Sequence, residues 1–141
     1  MDEKYLCGQM IKQIHDDLEK RANNAMRKQD LTFTQVSALL TLLNFPEQKA
    51  TLKELEKALH VAQSTTVGIV NRLEHKGLVN SFGDPSDRRI KLVQITPEGK
   101  QCCRQAQDNM KETEASLLSP LTKEEQKTFI SLLRKVSKNL N

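Results

Sequence analysis

The residues best suited to chemistry lie close together in one short segment, and their types are those that read DNA. Glutamine, asparagine, serine, threonine and arginine side chains hydrogen-bond base edges and phosphates. With helical spacing, one face of the segment carries five of these residues: Gln63, Ser64, Thr65, Asn71 and Arg72. We interpret this face as a DNA-reading surface, against the alternative that it is only solvated.

Val67 and Gly68 lie on the same predicted face and support that interpretation. An apolar valine that faces outward could contact a thymine methyl group. Glycine weakens a helix, but its missing side chain permits a close approach of the backbone to a partner. The opposite face carries the residues that we expect to pack inward: Ala62, Thr66, Ile69, Val70 and Leu73.

A second candidate group lies at the tip of a predicted hairpin, residues 84–89. Asp87 stands two positions before Arg89, so in a tight hairpin its carboxylate can hold the guanidinium. Arg88 and Lys91 add positive charge, and an arginine gains from the negative potential of a narrow minor groove. The alternative is an ordinary exposed ion pair, which contributes little energy. We predict a DNA-contacting wing that Asp87 stabilises.

The local patterns predict a helix pair followed by this hairpin. Thr51 and Glu54 form a capping-box pattern that opens a short helix, and residues 60–62 supply the turn before the second helix. Gly77 ends that helix at residue 76 because glycine readily takes a positive φ. The following strand-like segments are residues 78–82 and 90–95, with turn residues 83–85 between them. Such a helix pair is a common way to place a helix in the major groove.

Long amphipathic helices are predicted on both sides of this segment. Apolar residues recur every three or four positions in residues 4–28, and Pro97 and Lys123 stand at the start of two further helices. An additional helix after Thr32 or Thr34 carries a stripe of Phe33, Val36, Leu39, Leu40 and Leu43. One small lobe cannot cover all of these stripes, so two-fold pairing of chains is expected.

Composition narrows the class of protein. The formal net charge of +4 is compatible with nucleic acid, and the odd cysteine count of 3 favours a reducing cytoplasm over a disulfide framework. We expect no signal peptide and no membrane span. The 3 histidines show no zinc-binding spacing, and a phosphate loop and a nucleophile elbow are both missing. We therefore predict neither an enzyme nor a cofactor or metal site.

The hairpin and the segment before it resemble the multiple antibiotic resistance regulator (MarR) family of winged-helix repressors. The family pattern Asp-x-Arg-x5-Leu-Thr, followed by a glycine, is matched by Asp87, Arg89, Ile95, Thr96 and Gly99. Residues 70–79 are similar to the end of that family's recognition helix, and the helix order extends the resemblance over nearly the whole chain. Departures are Ile95 for leucine, Asn71 for aspartate and Gly68 for a larger polar residue.

The resemblance implies a mostly α fold with a small β-hairpin wing, in which a winged helix-turn-helix lobe is flanked by long dimerisation helices. We take residues 1–141 as a single domain, with the lobe at 32–96 and dimerisation helices at 4–28 and 97–140. A homodimer of this kind would bind a pseudo-palindromic operator on double-stranded DNA. Relatives often bind small aromatic acids, so a small-molecule effector that releases a repressor is implied.

Two alternatives stay open at this point. Some relatives sense hydroperoxides through a cysteine in the first helix, so Cys7 is the candidate for a redox switch, and a metal-sensing switch is a variant of the same idea. Small apolar packing in a dimer seam is the interpretation that we favour for the cysteines. The other alternative is a winged helix that binds protein, which the salt dependence of binding would distinguish.

Overall fold

The structure is a computed structural model, and it describes residues 5–140. Within these residues the helices are α1 (Leu6–Lys28), α2 (Phe33–Leu43), α3 (Leu52–Leu59), α4 (Gln63–His75), α5 (Pro97–Leu118) and α6 (Lys123–Leu140). The strands are β1 (Lys49–Thr51), β2 (Val79–Asp84) and β3 (Asp87–Ile95), and a short 3₁₀ turn covers Pro46–Gln48. The fold is therefore mostly α with a small sheet, as predicted.

The strands form one antiparallel sheet in the order β1-β3-β2. The hairpin pairs Val79 with Ile95 at its base, and β1 pairs Ala50 with Val93 on the other side of β3. Strand β1 was not predicted from the sequence. Its three residues are too few for their alternation to predict a strand, and Ala50 is buried where β1 pairs with β3.

Side-chain caps fix where several helices begin. Thr32 caps α2, and its hydroxyl accepts from the Gln35 amide at 3.2 Å. The predicted box at α3 is present, because the Glu54 amide donates to Thr51 Oγ1 at 3.0 Å and the Thr51 amide donates to Glu54 Oε1 at 2.9 Å. Gly77 has φ 76°, which confirms the predicted positive φ after α4. The two side-chain caps join residues three positions apart, so both partners of each cap can be recognised in the local sequence.

The chain divides into two compact units, one ending at Asn109 and the other beginning at Met110. In the first unit, helices α2, α3 and α4 pack with the sheet and the start of α5 around one apolar core. Its members include Leu39, Leu42, Leu55, Val70, Leu73, Val79, Val93 and Cys103. The second unit contains α6, whose start is fixed by a capping box between Thr122 and Glu125.

Two residues that we predicted to face inward are exposed. Phe33 is 69% exposed, because it is the first residue of α2 and lies at the edge of the buried stripe. Ala62 is exposed because it is the N-cap of α4, with extended backbone, and does not belong to the helix interior. The other four predicted inward residues of α4 are buried: Thr66, Ile69, Val70 and Leu73.

The hairpin is longer and its turn tighter than we predicted. Gly83 and Asp84 belong to β2, and only Pro85 and Ser86 lie between the strands. The Asp84 carboxylate accepts from the Ser86 amide at 2.9 Å and from its hydroxyl at 2.8 Å. Because this bonding closes the chain within two residues, the strands continue to the tip.

Helices α1 and α6 contain no buried residue among the positions described. Their apolar side chains are instead exposed, as in Met10 at 53% on α1 and Leu132 at 55% on α6. Single exposed apolar residues are ordinary, but repeated ones along a helix mark an interaction surface. Within residues 5–140, none of the helices combines the length and apolar character that crossing a bilayer requires.

Candidate nucleic-acid interface

Helices α3 and α4 form the predicted helix pair, joined by a three-residue turn. His60 makes the turn possible by adopting a left-handed conformation with φ 56°. Leu55 of α3 is fully buried in the same core as Ile69 and Leu73 of α4. Burial of that face leaves the opposite face of α4 toward solvent, which is the arrangement of a recognition helix.

The predicted reading residues lie on that solvent-facing side. Five of them are exposed, namely Gln63, Ser64, Thr65, Asn71 and Arg72. Val67 and Gly68 are half-buried, so they flank this surface and do not project from it. The structure brings the seven residues together on one helix. Their contacts with DNA stay a prediction.

The N-terminus of α4 has a feature that was not predicted from the sequence. Its N-cap, Ala62, makes no side-chain hydrogen bond to the first amides of the helix. Serine, threonine or aspartate at this place would occupy one of those amides. Free N–H groups at a helix N-terminus attract phosphate. An alanine at a predicted N-cap is the signal that could have indicated this.

The hairpin holds one arginine by a two-pronged ion pair. The Arg89 Nε donates to Asp87 Oδ1 at 3.1 Å, and its Nη2 donates to Oδ2 at 3.2 Å. The Arg89 side chain is nevertheless 92% exposed, so it stays accessible to a ligand. Its side-chain and then its backbone hydrogen bonds hold the pKa of Asp87 below the usual range. Asp87 is therefore charged at neutral pH and keeps the guanidinium oriented.

The other basic residues of the hairpin are also accessible. Arg88 and Lys91 are both exposed and lie on β3. Strand β3 thus carries positive side chains at and near the tip of the wing. Backbone phosphates are the natural partner for such a surface.

A carboxylate connects α4 to the wing, a contact that was not predicted from the sequence. Glu74 Oε2 accepts from the Ser81 amide at 2.9 Å and from the Ser81 hydroxyl at 2.7 Å. The hydroxyl bond, then the amide bond, lower the pKa of Glu74. Glu74 and Ser81 are seven positions apart and lie on different elements, so neither the helical spacing of α4 nor the strand pattern of β2 indicated the contact. The pair fixes the last turn of α4 against β2.

A cleft of about 430 Å³ lies beside the same end of α4. It is lined by Asp30, Gln35, Asn71, Arg72, His75 and Lys76. Arg72, His75 and Lys76 are basic, Asp30 is acidic, and none of the six is Phe, Tyr or Trp. Two of them, Asn71 and Arg72, also belong to the predicted DNA-reading surface.

The three cysteines occupy different environments. Cys103 is 1% exposed, and burial raises the pKa of its thiol to about 11. Burial also raises the pKa of the half-buried Cys102. A thiol reacts with oxidants as its thiolate, so both are poor sensors at neutral pH. Cys7 is exposed on α1, and its predicted alternative role as a redox residue is unaffected by these observations.

One group of metal-ligating types lies on α1, formed by His15, Asp16 and Glu19. Their ligand atoms lie within 4.8 Å of one another, but all three residues are exposed. The Lys12 Nζ already forms an ion pair with Asp16 Oδ2 at 3.0 Å. Clusters of this kind are common on helix surfaces without a metal, so we assign it no site.

Comparison with known proteins identifies the family. The MarR family model matches residues 31–91. The HTH-type transcriptional regulator YxaD of Bacillus subtilis is 31% identical over 123 residues, which cover 87% of this chain and 80% of YxaD. YwaE, another HTH-type transcriptional regulator of that organism, is 35% identical over 81 residues, which cover 57% of this chain and 47% of YwaE. The chain thus spans about half the length of YwaE.

A solved structure agrees with this result. The apo form of wild-type MarR from Escherichia coli superposes with a TM-score of 0.75 at 28% identity, covering 92% of this chain and 94% of MarR. The helix pair, wing and flanking helices described above are thus those of this fold. Members of the family regulate transcription and are not enzymes. The chain belongs to the MarR family of DNA-binding transcriptional regulators.

Proposed function

We propose that the protein is a homodimeric repressor that binds a pseudo-palindromic operator and is released by a small-molecule signal. Residues 32–96 would form the DNA-binding lobe, and the helices at 4–28 and 97–140 would form the dimer. The observation that carries the proposal is the surface of α4. Its inward face is buried in the core, while its outward face exposes polar residues beside a positively charged wing.

Three features of α4 and the wing support DNA as the partner. Gln63 and Asn71 can hydrogen-bond base edges, whereas Arg72 and the open amides at the start of α4 suit phosphates. Arg89 is held in place by Asp87 yet exposed, which suits insertion into a neighbouring minor groove. A protein-binding module would not need both a base-reading helix and an oriented arginine.

Exposed apolar side chains on α1 and α6 support the dimer. On α1 they include Leu6, Met10 and Ile11, and on α6 they include Leu132 and Val136. Because a second copy of the chain carries the same stripes, two-fold pairing would remove all of them from water at once. Two-fold symmetry also places two copies of α4 on two operator half-sites.

The cleft beside α4 supports a small-molecule signal over an oxidant. Arg72, which lines the cleft, suits an anion and is also a predicted phosphate ligand. A small carboxylic acid bound there would compete with DNA for that residue. Titration of benzoate into a protein–DNA complex tests this idea, since release without a change in oligomeric state is expected.

Alanine substitutions on α4 should separate base contacts from phosphate contacts. We expect Asn71→Ala and Gln63→Ala to cost about 1–3 kcal/mol of binding free energy and to relax preference at single base positions. Arg72→Ala should weaken all sequences alike and flatten the salt dependence by about one unit. The measurement is binding to duplexes that the parent protein selects from a random pool, at several salt concentrations.

The same measurement distinguishes the alternatives. Equal losses at every base for Gln63→Ala and Asn71→Ala would disprove the assignment of these residues to base contacts. If the parent selects no duplex and its binding to any partner is insensitive to salt, the protein-binding alternative replaces the operator.

The wing should contribute affinity without contributing much stability. We expect Arg89→Ala to weaken operator binding several-fold and to leave thermal unfolding nearly unchanged, since the side chain is exposed. Asp87→Ala should also weaken binding, because the free guanidinium samples more conformations. Arg104→Ala, which removes the same charge from α5, serves as the control. Unchanged operator affinity in both wing variants at physiological salt would show that the hairpin only supports the fold.

The cysteines should act as packing residues. We expect Cys103→Ser to destabilise the fold by about 1–3 kcal/mol, because the buried hydroxyl must find a new partner. Cys102→Ser and Cys7→Ser should have smaller effects. A gel shift of the parent and the three variants, with and without peroxide, should show no oxidant-dependent release. Reversible release in the parent that disappears in Cys7→Ser would establish the redox alternative.

A further inference from the structure

Lys76 connects the end of α4 to the junction between α1 and α2. It is the C-cap residue of α4, and its Nζ donates to the Asp30 carbonyl oxygen and, at 3.1 Å, to Gln35 Oε1. The Asp30 carboxylate lies 3.9 Å from the same nitrogen. The Lys76 side chain is 30% exposed, so it is partly covered, and its ammonium group meets these acceptors at the protein surface.

Both partners of Lys76 belong to the junction between α1 and α2. Asp30 follows the last turn of α1 and reverses the chain with φ 56°, a left-handed conformation that is uncommon for a residue other than glycine. Gln35 is 5% exposed and forms the capping box of α2 with Thr32. The lysine therefore binds the backbone of the turn between α1 and α2 and the side chain that caps α2.

Lys76 is less suited to a phosphate contact than its charge suggests. Two of its donors are already used by the Asp30 carbonyl and Gln35, and the nearby carboxylate partly compensates its charge. Its position at the C-terminus of α4 is also where the helix dipole favours a cation. By contrast, within residues 5–140 no hydrogen bond or ion pair of this kind constrains Asn71, which lies five residues earlier.

The last turn of α4 is thus held from two sides. Glu74 fixes it to β2 through Ser81, and Lys76 fixes it to the α1–α2 junction. In the proposed dimer, α1 belongs to the dimerisation helices. The Lys76 contact is then a direct link between the dimer and the orientation of the recognition helix.

We propose that Lys76 is a positioning residue that fixes the orientation of α4 relative to α1 and thereby the spacing of operator half-sites that the dimer accepts. This inference rests on the proposed function, because spacing has meaning only for a dimer on DNA. A side chain that holds two elements in one geometry narrows the range of productive arrangements. Its loss should broaden the range of spacings without removing a base contact.

The test uses the full-length protein and duplexes that the parent selects from a random pool. The selected operator is remade with one base pair added or removed between its half-sites, and binding is measured for the parent and for Lys76→Met and Lys76→Arg. Lys127→Met, which removes the same charge from the face of α6 opposite the apolar stripe of Leu132 and Val136, is the control. Thermal unfolding and the salt dependence of binding are measured for each variant.

We expect Lys76→Met to reduce the discrimination between spacings by about two- to thirtyfold, the range typical of residues that couple two sites. Lys76→Arg should retain most of the discrimination, and the salt dependence should be unchanged. Lys127→Met should behave like the parent. If Lys76→Met does not fold, Lys76→Gln, which is polar but too short to reach both acceptors, should show the same broadening.

Two results would overturn the inference. A uniform loss of affinity at all spacings, with a salt dependence lower by about one unit, would make Lys76 a phosphate ligand. A lower unfolding temperature with unchanged spacing preference would make it a stabilising contact only. Failure of the parent to select any duplex would instead contradict the proposed function, so the two failures are distinguishable.

Discussion

Gly99→Ala is expected to destabilise the fold by about 2–3 kcal/mol, because the new methyl group has no space. A Cβ atom at Gly99 would lie 2.2 Å from the Leu78 carbonyl oxygen and 2.7 Å from Ile95 Cγ1. The Leu78 oxygen is fixed in turn, since it accepts from the Thr96 amide at 3.0 Å. Relief of the clash would therefore separate α5 from the base of the hairpin.

Thermal unfolding followed by circular dichroism measures this effect. The expected decrease in Tm is roughly 4–12 °C for a chain of this size. Gly68→Ala is the matched control, because a Cβ there meets only the end of the Arg72 side chain at 3.6 Å. Alanine at an open helical position should stabilise by up to about 1 kcal/mol. Equal stability of the two variants would show that α5 can move away from Leu78 at little cost.

Gly99 illustrates what a sequence pattern can and cannot supply. The resemblance marked a glycine after Thr96, but its physical reason is the close approach of the Leu78 backbone. That approach depends on how α5 packs against the base of the hairpin, and no local rule contains it. The capping box at Thr51 could be predicted because both of its partners lie within one helical turn.

The same distinction explains which features of the candidate interface could be predicted from the sequence. Helical periodicity was sufficient to place Gln63, Asn71 and Arg72 on the exposed face of α4. It could not indicate the Glu74–Ser81 contact or the Lys76 contact, because these join elements that meet only in the folded chain. The missed strand β1 has the same cause, since its pairing with β3 is a tertiary contact.

Charged substitutions on α6 should abolish the proposed dimer. Leu132 and Val136 are 55% and 52% exposed and lie one helical turn apart on the apolar stripe. We expect the double variant Leu132→Glu and Val136→Glu to dissociate at micromolar concentration, because burial would leave the two carboxylates without partners. Analytical ultracentrifugation would show a monomer, and the far-ultraviolet circular dichroism spectrum should remain helical.

Operator binding should weaken when the dimer dissociates, and by more than the loss of a single contact can explain. A dimer binds its second half-site intramolecularly, so losing it should weaken operator binding by about 10²–10⁴-fold. Ser131→Glu adds a carboxylate to the opposite face of α6 and should leave both the dimer and DNA binding intact. A parent chain that sediments as a well-folded monomer would contradict the two-lobe arrangement. A double variant that stays dimeric would instead move the interface away from this stripe, toward the exposed apolar residues of α1.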